Sequence, residues 1–266
     1  MKRFLIIPLA LGILFSCNRT ENNDPWGKID EEQAAKESKV AECTMHSSFL
    51  KQDVPYSVWL PKDYDENKTY PFLYLLHGYE YGDQSRLDRC WLDKGNAAAI
   101  AEDYQKSGGV PMVIVMPNGY SYFYMGDYEP FFEEELMAKV EADYKCNGKR
   151  AIAGLSMGGF GTLFHALKYP GKFTCAYAMS PASKMFGLDP GSFIDQQSDK
   201  SVFPSFTIEV GTEDIVVNNS ESKALYQKMT RSGIECEWEE RAGAHTWEFW
   251  KVCLPKALRK AGASFQ

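Results

Sequence analysis

The sequence predicts an α/β fold, a mostly parallel central sheet with helices on both faces. Three observations carry that prediction. Residues 72–76 and 112–116 are short continuous apolar runs, the pattern of strands buried on both faces of a parallel sheet. From about residue 42 onward, strand-like and helix-like patterns alternate. Between an apolar stretch and a helical one sits Gly154-Leu155-Ser156-Met157-Gly158, which reads as a sharp strand-to-helix turn.

Taken in order, residues 1–17 read as an export signal. Lys2 and Arg3 precede an apolar stretch, residues 4–15, that is short for a bilayer span. Leu14-Phe15-Ser16-Cys17 resembles a lipoprotein cleavage site, with Cys17 receiving the lipid. Residues 18–40 are polar and read as a flexible tether, and residues 41–266 as one large domain. Residues 54–60 alternate like a half-buried strand and form an opening hairpin with the segment around 45–50. After the runs at 72–76 and 112–116, residues 131–144 have helical spacing, with Leu136, Val140 and Tyr144 on one face. A short strand at 151–153 leads to a helix at 160–169, stopped by Pro170-Gly171. Strands at 173–179 and 206–210 follow, then a helix at 220–232 ended by Gly233, a strand at 234–240, and a final helix at 247–261 that contains Pro255. In such a sheet, sites form in the loops at the carboxyl ends of the strands.

Net charge is −7 with no run of Lys or Arg, which excludes a nucleic-acid face. Of seven cysteines, six remain when Cys17 is set aside: Cys43, Cys90, Cys146, Cys175, Cys236 and Cys253. Their spacing holds no Cys-x-x-Cys and no histidine in ligand register, so no metal site is expected, and their pairing stays open. Cys175 and Cys236 alternate with apolar neighbours and read as core-facing. Aromatics make up 14 % of the chain, mostly for the core, with a share available to line a ligand site.

A Gly-x-Ser-x-Gly match alone arises by chance in about one chain in ten of this length. Here its setting assigns Ser156 as a nucleophile, because the following helix begins beside the serine with N–H groups able to hold an oxyanion. A serine needs a base. Of the four histidines, His46 lies in the opening strands, His165 inside the helix after Ser156, and His77 at the end of a buried strand. His245 lies in a small-residue loop between the last strand and the last helix, where a base belongs. The orienting carboxylate must fall between Ser156 and His245 in the chain. Asp214, after the 206–210 strand, is the choice; Glu213, Asp189 and Asp195 are the alternatives. The N–H of Met157 and the N–H of Tyr79, after His77-Gly78, are the expected oxyanion donors, with His77 holding that loop.

These residues together resemble the esterase D family of α/β-hydrolases, which includes S-formylglutathione hydrolases, feruloyl and acetyl-xylan esterases, siderophore esterases and mycolyltransferases. The matching pieces are Tyr70-Pro71 through Leu75-Leu76-His77-Gly78, Trp91, Val115-Met116-Pro117-Asn118-Gly119 and Gly154-Leu155-Ser156-Met157-Gly158-Gly159. They continue with Gly211-Thr212-Glu213-Asp214 and with Gly243-Ala244-His245-Thr246-Trp247 and Trp250. The resemblance implies an α/β-hydrolase fold and ester hydrolysis by Ser156, Asp214 and His245 without metal or organic cofactor. It also implies an acyl pocket bordered by Trp91, Asn118 and Tyr120. The loop after His77-Gly78 departs from the family's glycine-rich version, reading Tyr79-Glu80-Tyr81-Gly82-Asp83. The expectation is a serine carboxylesterase, exported to the periplasm or cell surface and held to the membrane by its lipid alone. Its expected substrates are carbohydrate-linked acetyl or feruloyl esters. An acyltransferase using the same triad and a non-catalytic glycan-binding lipoprotein are the alternatives.

Overall fold

The computed structural model describes residues 38–266, so the expected signal segment, Cys17 and most of the expected tether lie outside the described residues. Eight strands form one sheet: β1 (Lys39–Ser47), β2 (Gln52–Leu60), β3 (Tyr70–Leu76), β4 (Val113–Pro117), β5 (Cys146–Leu155), β6 (Cys175–Met179), β7 (Ser205–Gly211) and β8 (Cys236–Arg241). Their order is β1-β2-β4-β3-β5-β6-β7-β8. β1 pairs antiparallel with β2, and β2 antiparallel with β4; every later pairing is parallel.

The opening hairpin is longer and earlier than its sequence pattern suggests. β1 begins at Lys39, inside the stretch read as tether, and pairs residue for residue from Lys39↔Leu60 to Ser47↔Gln52. β1 is an edge strand with one exposed face, so it carries charged residues that mimic a linker in composition. β5 is likewise longer than its apolar centre, because residues 146–150 are partly or fully exposed and only 151–155 are buried.

Two apolar layers cover the sheet, and strand alternation assigns residues to them. Phe72, Tyr74 and Leu76 face one layer with Ile152, Ala176 and Ala178; Leu73 and Leu75 face the other with Ala151, Ala153 and Tyr177. Five longer helices supply the cover: α1 (Ala97–Lys106), α2 (Met137–Asp143, continuing a π-helical Phe131–Leu136), α3 (Met157–Lys168), α4 (Asn219–Arg231) and α5 (Trp247–Ser264). Helices α2, α3 and α4 pack on the first layer, α1 and α5 on the second. Pro255 sits inside α5 without ending it. Cys175 is buried in the second layer, and Cys236 is partly buried against the first. Cys90, Cys146, Cys175, Cys236 and Cys253 carry free thiols.

Candidate active site

Ser156 stands at the turn from β5 into α3, with φ 51° and ψ −114°. A non-glycine residue there is strained, and only tight surroundings hold it. The glycines on either side permit those surroundings. A Cβ on Gly154 would lie 2.4 Å from the Gly158 carbonyl oxygen, and one on Gly158 would lie 2.4 Å from that of Leu76. The Ser156 N–H donates to the Met179 carbonyl at 2.9 Å, tying the turn to β6.

The structure brings together three side chains that lie far apart in the sequence. His245 Nε2 is 2.8 Å from Ser156 Oγ, and His245 Nδ1 is 2.7 Å from Asp214 Oδ2. The carboxylate fixes the tautomer: Nδ1–H donates to Asp214, and Nε2 is left to accept the serine hydroxyl proton. Burial alone would raise the Asp214 carboxyl, but hydrogen bonds from His245 and from the N–H groups of Val216 and Val217 outweigh it and hold the group below the ordinary carboxylate value. The alternatives are placed elsewhere. Asp189 pairs with Lys184 and Asp195 with Lys228, while Glu213 uses its N–H to grip the Gly243 carbonyl at 3.0 Å. His46 pairs with Asp53, and His165 is buried between Glu133 and the Tyr124 carbonyl.

His77 is fully buried and bridges two loops. The Gly119 N–H donates to its Nε2 at 2.7 Å, so Nδ1 carries the proton and donates to the Gly78 carbonyl at 2.6 Å. Burial pushes its pKa down to about 4, against smaller opposing pulls from Gly78 and Glu80. The Gly78 carbonyl belongs to the same peptide as the Tyr79 N–H. All peptides described are trans, so a carbonyl turned toward His77 turns that N–H to the opposite side. Gly78 lies against Ser156, since a Cβ there would come 3.3 Å from Ser156 Cβ. The Met157 N–H is the first of α3 and has no partner within the helix. The Tyr79 and Met157 N–H groups are the two that the sequence assigns to an oxyanion.

Trp91 and Asn118 lie behind the wall of the site rather than on it. Trp91 is 1 % exposed, donates to the Leu76 carbonyl at 3.0 Å and meets the Trp247 ring edge-on. Asn118 is 0 % exposed; its amide donates to Gln84 and its oxygen accepts from the Tyr120 N–H. Both shape the loops that flank Ser156, and neither offers surface to a ligand. Tyr120 is half-buried, with its hydroxyl 3.3 Å from the Asp53 carbonyl.

Two contacts were not read from the sequence, although Trp250 was among the residues matching the family. Trp250 packs edge-to-face on His245, ring centroids 4.9 Å apart. Glu209, buried in β7, holds Arg241, Lys256 and the Tyr177 hydroxyl. Arg241 also donates to the Phe249 carbonyl and lies 3.6 Å above the Phe249 ring, which fills the space beside Gly211 and Gly243. This clamp joins the loop bearing Asp214 to the loop bearing His245. A charged residue inside the apolar 206–210 strand was its one sequence signal.

Residues 47–261 match the family model described as "Putative esterase". The chain belongs to that esterase family. It is 25 % identical to an acetyl esterase of Caldicellulosiruptor saccharolyticus, over 82 % of this chain and 96 % of that protein. It is 36 % identical over half its length to an esterase of Mycobacterium tuberculosis, of which the match spans 30 %. Among solved structures it superposes on a ferulic acid esterase with TM-score 0.78 and 27 % identity, covering 86 % of this chain and 99 % of that one. An S-formylglutathione hydrolase from Agrobacterium tumefaciens gives TM-score 0.72 at 18 % identity, covering 87 % and 97 %, and shows the shared fold. The enzyme is a serine-dependent carboxylic ester hydrolase of the α/β-hydrolase type.

Proposed function

We propose that Ser156, His245 and Asp214 are the catalytic triad of this esterase. The observation that carries the proposal is the unbroken relay from Ser156 Oγ through both nitrogens of His245 to Asp214. Ser156 attacks the ester carbonyl while His245 Nε2 takes its proton. The N–H groups of Tyr79 and Met157 hold the oxyanion, and Asp214 stabilises the imidazolium. His245 then gives its proton to the leaving alcohol, and a water activated by the same nitrogen releases the acid. An aryl-free fluorophosphonate tests the assignment: the adduct maps to Ser156 and is absent from Ser156→Ala. An adduct on another serine overturns it.

The proposed natural substrates are carbohydrate-linked acyl esters, acetyl or feruloyl. The acetyl esterase and ferulic acid esterase similarities support this. Equal kcat/KM on sugar esters and on simple alkyl esters of the same acid speaks against it. The proposed location is outside the cytoplasmic membrane, on a lipid carried by Cys17, supported by the charge and apolar pattern of residues 1–17. Cys17→Ala is expected to move the protein from the membrane to the soluble fraction; no change refutes the anchor.

A further inference from the structure

His165 lies about two turns beyond Met157 in α3 and is fully buried. Three rings pack around its imidazole: Phe132, Phe164 and Tyr169, with centroids 4.6, 5.1 and 6.2 Å away. An apolar side chain would fill this space at less cost, because each buried ring nitrogen must find a partner. Nδ1 meets the Glu133 carboxylate at 2.5 Å, and Lys172 holds the other oxygen of that carboxylate. Nε2 meets the Tyr124 carbonyl at 2.9 Å. A carbonyl oxygen only accepts, so Nε2 carries a proton and donates it. Glu133 and Phe132 belong to the π-helical turn before α2, a rare widening found mostly at functional sites.

The backbone that His165 grips is strained. Tyr124 has φ 58°, and Tyr120 and Phe123 in the same loop have φ 45° and 54°. Side chains are disfavoured at such left-handed positions, so the surroundings must enforce them. The Tyr124 ring fits only because two glycines make room. A Cβ on Gly119 would lie 2.5 Å from its Cζ, and one on Gly161 2.6 Å from its Cδ2. From there the Tyr124 hydroxyl donates to the His77 carbonyl at 3.0 Å. His77 in turn accepts from the Gly119 N–H and donates to the Gly78 carbonyl, whose peptide ends in the Tyr79 N–H. A path of contacts therefore runs from Glu133 through His165, Tyr124 and His77 to the Tyr79 amide. The other expected donor, the Met157 N–H, begins the helix that carries His165.

We propose that His165 is a positioning residue for the oxyanion donors: its Nε2–H locks Tyr124, and Tyr124 locks His77 and the Gly78–Tyr79 peptide. This rests on Ser156 being the nucleophile and the Tyr79 amide a donor. The oxyanion develops only toward the transition state, so the clip acts on kcat and leaves KM in place. Two amide substitutions separate the clip from mere packing. The glutamine N–H group stands where Nε2–H stands, so His165→Gln can keep the bond to Tyr124. The shorter asparagine places its N–H group where Nδ1 stands, so His165→Asn can keep Glu133 but cannot reach Tyr124.

The test measures aryl acetate hydrolysis by wild type and both variants, together with hydrogen exchange of the Gly119 amide. His165→Asn is expected to lose about tenfold in kcat with KM unchanged, and His165→Gln to restore kcat to within about twofold of wild type. The Gly119 amide, which donates to His77, is expected to exchange faster in His165→Asn alone. Equal kcat in all three proteins, equal losses in both variants, or a change in KM alone overturns the clip. Should His165→Asn fail to fold, Tyr124→Phe removes only the hydroxyl on the His77 carbonyl. The same loss in kcat is expected there, and an unaltered kcat overturns the clip. A wild type inactive on the ester, or an active Ser156→Ala, would instead refute the nucleophile. Exchange at Gly119 in wild type, Tyr124→Phe and the two His165 variants then still decides the clip, and equal exchange overturns it.

Discussion

The buried ring of His77 makes stability depend on pH in a way that a single substitution isolates. In the unfolded chain a histidine takes a proton below about 6.5; in the folded protein this ring does so only near about 4. Between those values the unfolded state binds the additional proton, so stability falls as pH falls through that window and is fully present above it. At about 1.4 kcal/mol per pH unit, the window amounts to about 3 kcal/mol. The assay is urea unfolding of wild type and His77→Asn across pH 7 to 4. The variant carries no titrating group at this position, so its stability relative to wild type is expected to improve by about 3 kcal/mol on acidification. Parallel curves would mean that His77 titrates alike in both states. That would refute the assignment of a neutral ring whose Nδ1–H holds the Gly78–Tyr79 peptide.

Three further outcomes follow from the geometry. Asp214→Asn keeps the shape but presents an amide donor to His245 Nδ1, favouring the wrong tautomer; kcat is expected to fall on the order of 10⁴-fold with folding intact, and a loss under tenfold contradicts the relay. Gly78→Ala places a methyl 2.4 Å from Leu155 Cδ1 and 3.3 Å from Ser156 Cβ, so the oxyanion loop must shift; kcat is expected to fall about a hundredfold with KM little changed, and unaltered kcat refutes the role of the Tyr79 amide. The Glu209 carboxyl is held low, against the effect of burial, by Tyr177, Lys256 and Arg241. Arg241→Met leaves it underpaired and is expected to cost about 3 kcal/mol in chemical unfolding, while an unchanged midpoint refutes the clamp.

The fold was legible where its physics is local. Continuous apolar runs mark β3 and β4 because both of their faces are buried, and Gly233 marks the end of α4. β1 was misjudged because an edge strand alternates with charge, and the partner that makes it a strand lies across a turn. Ser156, Asp214 and His245 could be named from chain order and loop position, yet only the folded chain shows that they meet. Trp91 and Asn118 illustrate the opposite case: resemblance puts them near the site, but burial places them behind its wall. The Glu209–Arg241 clamp was invisible because it depends on two strands and a helix.

The central claim is that Ser156 is the nucleophile of an ester hydrolase, and hydrolysis of a short-chain aryl acetate by wild type and Ser156→Ala tests it most directly. Wild type is predicted to turn the ester over, and the variant to lose at least about a thousandfold in kcat while keeping the wild-type unfolding midpoint. A folded Ser156→Ala enzyme with undiminished turnover would contradict the account.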